Sequence, residues 1–499
     1  MRGGRAYPAV ILAGAALSLA FPEPDIAPLA WVSLVPLLLA ARGASAGRGF
    51  GLGFAFGVGF FGALLIWISI VGYIAWALLI VLQSLFTGLF GLLWSWLSRH
   101  GRVWLRVAVA AAAWVAVEYV RSVFPLRGFT WGQLAQSQHD LFFWTLRPAA
   151  WGGAWLVAAI LVAVNACIAE AITSNGRRRL APALAAAALL TAPLALPVAA
   201  ADGPVMRVAI VQGNVPRQFT GGQFEKELAI TRSHARLTKQ LDPGEVDLVV
   251  WPESAVGLDL QRAPVVAEEV ASAAQAVQAP MIVGGNLDID ADRYKVVAFH
   301  VSPEGEVVDV YQKTHLVPFG EYVPGRDLIG WLPPLQQVPR DAVVGAEPKV
   351  FALPKGPVAT VISFEGDFGS LVRKPIAVGG RLLVVATNTS TWEESWASAQ
   401  HVAFSQVRAA ENGVGVVHAA LSGISAFIEP GGELVEQTGL FETTTLVHPM
   451  SLGVSPSFYA RTGDWFAYLA LVLTALAAVG AAATDRRSRR QRALTSSDE

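Results

Sequence analysis

Long apolar runs almost free of charge occupy positions 1–201 and return at 463–484, while 205–450 alternates short apolar stretches with polar ones. A helix needs roughly 20 mostly apolar residues to cross a bilayer. By that rule the first region predicts seven spans, at about 6–21, 26–41, 50–70, 73–97, 104–121, 150–173 and 180–201, and an eighth follows at about 464–484. Between them the pattern becomes that of a water-soluble domain. VMRVAIVQGN (205–214), VDLVVWPES (246–254) and PMIVGGNLD (280–288) read as strands, separated by helical stretches near 221–241 and 263–278. Such alternation predicts an α/β domain of layered sheets and helices. Pro303 to Gly305 turns a hairpin inside 296–313, Gly431 and Gly432 make another turn, and further strands are expected within 358–367, 382–390, 415–435 and 443–449. The chain thus divides into a seven-span membrane domain at 1–204, an α/β domain at 205–450, and a last span with a basic tail at 451–499.

Composition agrees. Hydrophobic residues make up 54% of the 499 and charged ones only 15%, against about a quarter in soluble domains. A net charge of −1, with no basic stripe interleaved with aromatics, excludes nucleic acid as a partner. The one cysteine, Cys167, lies in the sixth span. Intramolecular disulfides and thiolate metal clusters are therefore excluded, and Cys167 reads as a small hydrophobe. At the N-terminus two apolar runs follow the basic start directly, which reads as a first span rather than a cleaved signal peptide.

Cytoplasmic loops carry the Lys and Arg excess. With the N-terminus inside, the inner segments hold Arg2 and Arg5, Arg42 and Arg48, Arg99 and Arg102, Arg177 to Arg179, and finally Arg486, Arg487, Arg489, Arg490 and Arg492. Outer segments include the acidic Pro-rich turn Pro22 to Asp25. The stretch 122–149 is the exception, with Arg127 and Arg147 and with Arg121 at its edge. Both termini are then expected in the cytoplasm and the 205–450 domain outside, which makes its substrate extracytoplasmic or membrane-borne. The tail TSSDE (495–499) is expected to be disordered.

Three polar residues stand at the ends of apolar strands: Glu253 ends VDLVVWPE, Lys313 follows VVDVYQ, and Ser363 ends VATVIS. A rigid strand holds a catalytic group well. Taken singly, each reads better as a solvated strand-end residue. His315, His401 and His418 show no spacing of a zinc site and read as structural, so no metal is expected.

Taken together, WPES (251–254), YQKTHLVPFGEYVP (311–324) and ISFEGDF (362–368) resemble the Glu, Lys and Cys triad motifs of the nitrilase superfamily. Its membrane-bound branch, the apolipoprotein N-acyltransferase family, is the closer likeness, carried by VQGNVP (211–216) and by the order of seven spans, domain and one span. GFTWGQLAQSQ (128–138), WASAQH (396–401), RAAEN (408–412) and SGISAFIEPGGE (422–433) also resemble family segments. This resemblance implies an αββα sandwich beside an α-helical membrane bundle, in a bacterial inner membrane. It further implies Glu253 as general base, Lys313 as the cation that stabilises the oxyanion, and position 363 as nucleophile, with Glu321 and Glu365 in support. Trp251 and Trp392 would shape the pocket, and read equally well as core or interfacial aromatics. The implied reaction needs no cofactor. It moves an acyl chain from a phospholipid onto the nucleophile and then to the α-amine of a diacylglyceryl-modified N-terminal cysteine on a lipoprotein, as covalent acyl transfer.

The sequence departs from that pattern at the nucleophile, where Ser363 stands in place of the family's cysteine. A thiol titrates near 8.5 and falls further beside a cation, whereas a hydroxyl needs a matched base such as a histidine. Lys295, and TNTSTWEE (387–394) in place of an Asn-Asp-Ala-Trp type of run, depart as well. Alternatives to the enzyme reading are therefore a catalytically retired natural homologue and a trap with an engineered nucleophile, and the extra departures favour a natural chain. A retired homologue would act as a scaffold or binding partner at the membrane. Some relatives are linked in this way to a polyprenol-phosphate mannose synthase at the cytoplasmic face. A weak serine acyltransferase or hydrolase is the third alternative.

Overall fold

Glycines at 49, 53 and 57 fall four residues apart, on one face of a helix, and this spacing sets how the apolar helices pack. In the computed structural model, which describes residues 5–198, 203–453 and 456–495, the helices are α1 (Ala6–Ser18), α2 (Val35–Ala41), α3 (Ala46–Leu64), α4 (Tyr73–Leu97), α5 (Val103–Val123), α6 (Ala149–Thr173) and α7 (Leu180–Thr191), with Trp465–Thr495 near the C-terminus. A side chain on Gly53 would run into the backbone of Thr87, and one on Gly91 into that of Gly49, so α3 and α4 approach backbone to backbone. Among the described residues, five helices are long and apolar enough to cross a membrane: α3, α4, α5, α6 and Trp465–Arg489. The other three expected spans are shorter than foreseen. α1 has 13 residues, α7 has 12, and the second run is a 3-10 turn, Ala27–Trp31, followed by the seven residues of α2. Pro22 and Pro24 stand between the first two runs, and Pro28 and Pro36 each sit in the first turn of a new short helix, where a proline starts a helix but cannot continue an earlier one. Arg2, residues 199–201 of the seventh run and 496–499 of the tail lie outside the described residues.

The chain separates into two compact units, one of Met1–Gln138, Gly152–Leu196 and Asp464–Glu499, the other of His139–Trp151 and Pro197–Gly463. In the first unit, Arg121 is not the loop cation its position suggested. It is buried in α5, where Nη1 donates to Gln83 Oε1 (3.2 Å) and to the carbonyls of Phe129 (3.0 Å) and Trp131 (2.7 Å). Glu118, one turn earlier, accepts from the Leu134 amide at 3.0 Å. Within the same unit, Glu170 of α6 holds Arg106 in a two-pronged contact of 2.7 Å on each oxygen.

The second unit is an αββα sandwich. Its strands are β1 (Val205–Gln212), β2 (Leu248–Val256), β3 (Met281–Asp288), β4 (Arg293–Val301), β5 (Val307–Gln312), β6 (Asp341–Ala342), β7 (Lys349–Leu353), β8 (Gly356–Ile362), β9 (Leu382–Thr387), β10 (Gly415–Ala420), β11 (Ala426–Ile428), β12 (Leu434–Gln437) and β13 (Thr444–Ser451). One sheet runs β13-β1-β2-β3-β4-β5, with β6 beside β4, and the other runs β12-β11-β10-β9-β8-β7. The central strands β1, β2 and β3 are parallel, as are β8, β9 and β10, and antiparallel strands flank them. Helices α8 (Gln223–Thr238), α9 (Pro264–Val277), α10 (Arg326–Ile329), α11 (Gly369–Ala377), α12 (Ala397–Asn412) and α13 (Phe458–Thr462) belong to the same unit.

Burial explains why β9 reads LLVVAT without alternation: all six residues are buried, because both faces of its sheet are covered. Val208, Val250, Val358 and Val384 pack between the sheets. Trp251, Val266 and Val270 pack where α8 and α9 cover the first sheet, and Val372, Val402 and Val416 where α11 and α12 cover the second. Both β6 and β7 were missed by the pattern, since two and five residues are too few for a period to show.

Candidate active site

Parallel strands end on one edge of a sheet, so the residues just past them gather there. Glu253 lies near the end of β2, Lys313 directly follows β5, and Ser363 directly follows β8. Gly284 of β3 lets β2 come close, since a Cβ there would stand 2.7 Å from the Glu253 Cα. Two residues at this edge leave the ordinary strand conformation. Ser254 has φ 62° and Ser363 has φ 50°, values a non-glycine residue adopts only where its surroundings hold it. At Ser363 the strand turns sharply into the 3-10 segment Ser363–Asp367, which presents the hydroxyl at the strand tip.

The three strand ends meet. Lys313 Nζ lies 3.0 Å from Glu253 Oε1 and 2.6 Å from Glu321 Oε1, with the lysine side chain 1% exposed. Glu321 uses its other oxygen to accept the Val317 amide at 2.7 Å. The Ser363 hydroxyl lies beside the Glu253 carboxylate, where it favours the charged form. Burial pushes the Glu253 carboxyl above its usual range, against the pull of the Lys313 ammonium. For Lys313, burial works against the charge, but Glu253 and Glu321 outweigh it and raise the pKa, so the ammonium persists throughout the neutral range. One cation between two carboxylates, with a hydroxyl against one of them, is an arrangement that takes a proton from the hydroxyl and stabilises negative charge nearby.

Glu365 has a different environment. Its oxygens accept from the Tyr311 hydroxyl (2.8 Å to each), the Thr314 amide and hydroxyl (2.7 Å each), and the amides of His315 (3.1 Å) and Ile362 (2.8 Å). Burial still raises its pKa. With its lone pairs all engaged, Glu365 ties the turn at 362–365 to the segment that carries Lys313. Trp251 is placed away from this edge, fully buried, with Nε1 donating to Thr238 Oγ1 at 2.9 Å. That corrects the pocket-wall expectation in favour of the core one. Trp392 sits half-buried on the 3-10 turn Ser390–Trp392 that follows β9.

Three further residues stand at the site: Thr387 and Asp367, which the sequence did not single out, and His401, which it read as structural. Thr387 Oγ1 donates to Ser363 Oγ at 3.1 Å and lies 3.2 Å from His401 Nδ1, and His401 Nε2 lies 3.0 Å from Asp367 Oδ1. The signal for Thr387 was the one that picked out the others, a polar residue ending an apolar strand.

A sandwich with a buried Glu–Lys–Glu cluster beside a strand-end hydroxyl defines the class, and the carbon-nitrogen hydrolase family model matches residues 207–457. The model for the apolipoprotein N-acyltransferase N-terminal domain matches residues 13–167. An apolipoprotein N-acyltransferase of Geobacter metallireducens is 32% identical over 496 residues, covering 95% of each chain. One from Gloeobacter violaceus is 31% identical over 97% of this chain and 95% of its own. The chain belongs to the apolipoprotein N-acyltransferase family.

Proposed function

We propose that this chain moves an acyl group from a membrane phospholipid to the N-terminal amine of a diacylglyceryl-modified lipoprotein, through an ester on Ser363. Ser363 Oγ attacks the phospholipid ester carbonyl while its proton passes to Glu253. The ester C–O bond then breaks, and the departing lysophospholipid oxygen takes that proton. The acceptor amine next attacks the Ser363 ester, its proton passes to Glu253, and Ser363 Oγ recovers the proton as it leaves. Lys313 stabilises the oxyanion of each tetrahedral intermediate, Glu321 holds Lys313, and Glu365 holds the turn; Trp392 shapes the approach. The observation that carries this reading is the convergence of the Ser363 hydroxyl, the Glu253 carboxylate and the Lys313 ammonium at one buried point.

Two lipid-borne substrates fit a domain tethered beside the bilayer. In this reading eight spans place the termini in the cytoplasm and the 205–450 domain outside, supported by the arginine-rich inner segments. The scaffold alternative is the weaker one: the relatives are named as acyltransferases, and the partner synthase at the cytoplasmic face draws no support from them.

Mass spectrometry of a diacylglyceryl lipopeptide incubated with phospholipid and the purified chain tests the reading. A third acyl chain should appear with the protein as it stands and with Ser363→Cys, and disappear with Ser363→Ala. Activity in Ser363→Cys alone would mark a retired nucleophile, and silence in both would sink the acyltransferase reading.

A further inference from the structure

A serine nucleophile makes a demand that a cysteine does not. The thiolate is an accessible species near neutral pH, whereas the serine alkoxide is a far stronger base, both when it forms and when it is expelled from its ester. Glu253 takes the proton, but a carboxylate cannot stabilise negative charge on Oγ. What is needed is a donor aimed at Oγ itself.

The fold supplies one. Parallel pairing of β8 with β9 puts Ile362 opposite Ala386, so the next residues, Ser363 and Thr387, leave their strands side by side. Thr387 has a single hydroxyl hydrogen, and it points to Ser363 Oγ at 3.1 Å. Its oxygen is then left to accept, and the neighbour in reach is His401 Nδ1 at 3.2 Å. His401 stands on α12 with 3% of its side chain exposed, and its other nitrogen faces the fully buried Asp367 carboxylate at 3.0 Å. That direction asks Nδ1 to donate. With Thr387 donating to Oγ, the Ser363 hydrogen is left to turn towards the neighbouring Glu253 carboxylate. Donors therefore line up in one sense, from His401 through Thr387 to Ser363, with the Asp367 carboxylate in ionic contact with His401 behind them.

We propose that Asp367, His401 and Thr387 form a donating line behind Ser363 that stabilises negative charge on Oγ, and that this line lets a hydroxyl work where relatives of the resembled family use a thiol. The inference rests on Ser363 being the acylated group. Thr387 touches the reacting atom; His401 and Asp367 are positioning residues that act through it. In the first half-reaction the line steadies Oγ as its proton moves to Glu253. In the second it steadies the same oxygen as the C–Oγ bond breaks, until the proton returns from Glu253.

The test compares Thr387 variants on two nucleophiles, with kcat and KM for the phospholipid measured in the detergent-purified full chain. On Ser363, Thr387→Val should lower kcat by roughly 10²-fold, the effect of removing one such donor, with KM unchanged. Thr387→Ser keeps the hydroxyl and should stay within about tenfold of the parent. His401→Gln should lower kcat in the same direction by a smaller factor. On the Ser363→Cys protein, Thr387→Val should change kcat by less than about threefold, since a thiolate has little need of the donor. Equal losses on both nucleophiles would mean a structural role and overturn the line, as would a silent Ser363 protein whose Ser363→Cys variant is active. Full activity in Ser363→Ala, with no acyl adduct at position 363, would instead overturn the reading of the nucleophile.

Discussion

In the membrane unit, Arg121 gives its Nη1 hydrogen bonds to Gln83 and to two carbonyls of the 128–138 loop, and Glu118 accepts that loop's Leu134 amide. In the α/β unit, Lys313 faces two carboxylates instead, and one of those carboxylates stands beside a single serine hydroxyl. Both clusters are buried and both carry full charges. In the first, Arg121 and Glu118 offset each other's charge and spend hydrogen bonds on the backbone of one loop, which fixes that loop. The second pairs charge with charge and leaves one side-chain hydroxyl as its outlet, which suits proton transfer. Burial of charge alone therefore does not mark an active site; the identity of the partners does.

Breaking the second cluster should give the largest effect on turnover. Lys313→Met removes the cation and leaves Glu253 and Glu321 facing each other, so the base is driven towards its protonated form. We expect acyl transfer to fall by at least about 10³-fold among molecules that remain folded, the scale of losing a main electrostatic stabiliser. A single-turnover assay of the acyl-enzyme, normalised to the folded fraction, checks this.

Breaking the first cluster should act on folding. Arg121→Leu leaves Gln83 and the carbonyls of Phe129 and Trp131 without their donor in a buried setting. A loss of about 3–5 kcal/mol is expected, the range for removing one member of a buried charged network, read as a lower melting temperature in detergent. Activity per folded molecule should hold. If turnover collapsed while the melting temperature stood still, the contrast between the clusters would fail.

Much of this organisation was legible in the linear chain, and for different reasons in each unit. Apolar runs revealed helix positions because a span must hide every backbone group, but run length overstated α1, α2 and α7, where prolines or a change to 3-10 geometry ended the helix early. In the α/β unit, strand-end residues followed by motif resemblance picked out Glu253, Lys313 and Ser363, and these do converge. Arg121 was misread because its partners, 38 residues back at Gln83 and 10 ahead at Trp131, are visible only after folding. Thr387 was hidden, and His401 read as structural, for a similar reason: 24 and 14 residues separate the members of that line, and only the β8 and β9 register and the packing of α12 bring them together. Trp251 looked like a pocket residue because the WPE run holds it two positions from Glu253. A register shift between Trp251 and Val256 and the left-handed turn at Ser254 disturb the alternation there, and the indole goes to the helix side of the sheet.

Glu365 and Glu253 sharpen the comparison inside one site. Both are fully buried carboxylates, yet Glu365 accepts from Tyr311, Thr314, His315 and Ile362. Glu365→Gln turns acceptors into donors that face other donors. It should lower stability by roughly 1–3 kcal/mol and slow turnover by about tenfold through a looser Ser363 turn, measured by denaturation and by kcat. A larger loss of turnover than Glu253→Gln produces would reverse the assignment of base and brace.

The smallest effect is expected at Trp251, and it separates proximity in sequence from participation in chemistry. Its indole donates to Thr238 Oγ1 and lies 5.4 Å from the His234 ring, wholly within the packing of α8 against the first sheet. Trp251→Phe keeps most of the apolar volume and deletes one buried hydrogen bond, a change of about 1 kcal/mol. Thr238→Val should produce a loss of similar size, and the double variant should lose less than the sum, because both substitutions remove the same bond. Since neither residue reaches the strand edge where Ser363 stands, kcat and KM should match those of the parent. A shift in acyl-chain preference on Trp251→Phe would instead mean that the indole feels the substrate, and would return Trp251 to the pocket wall.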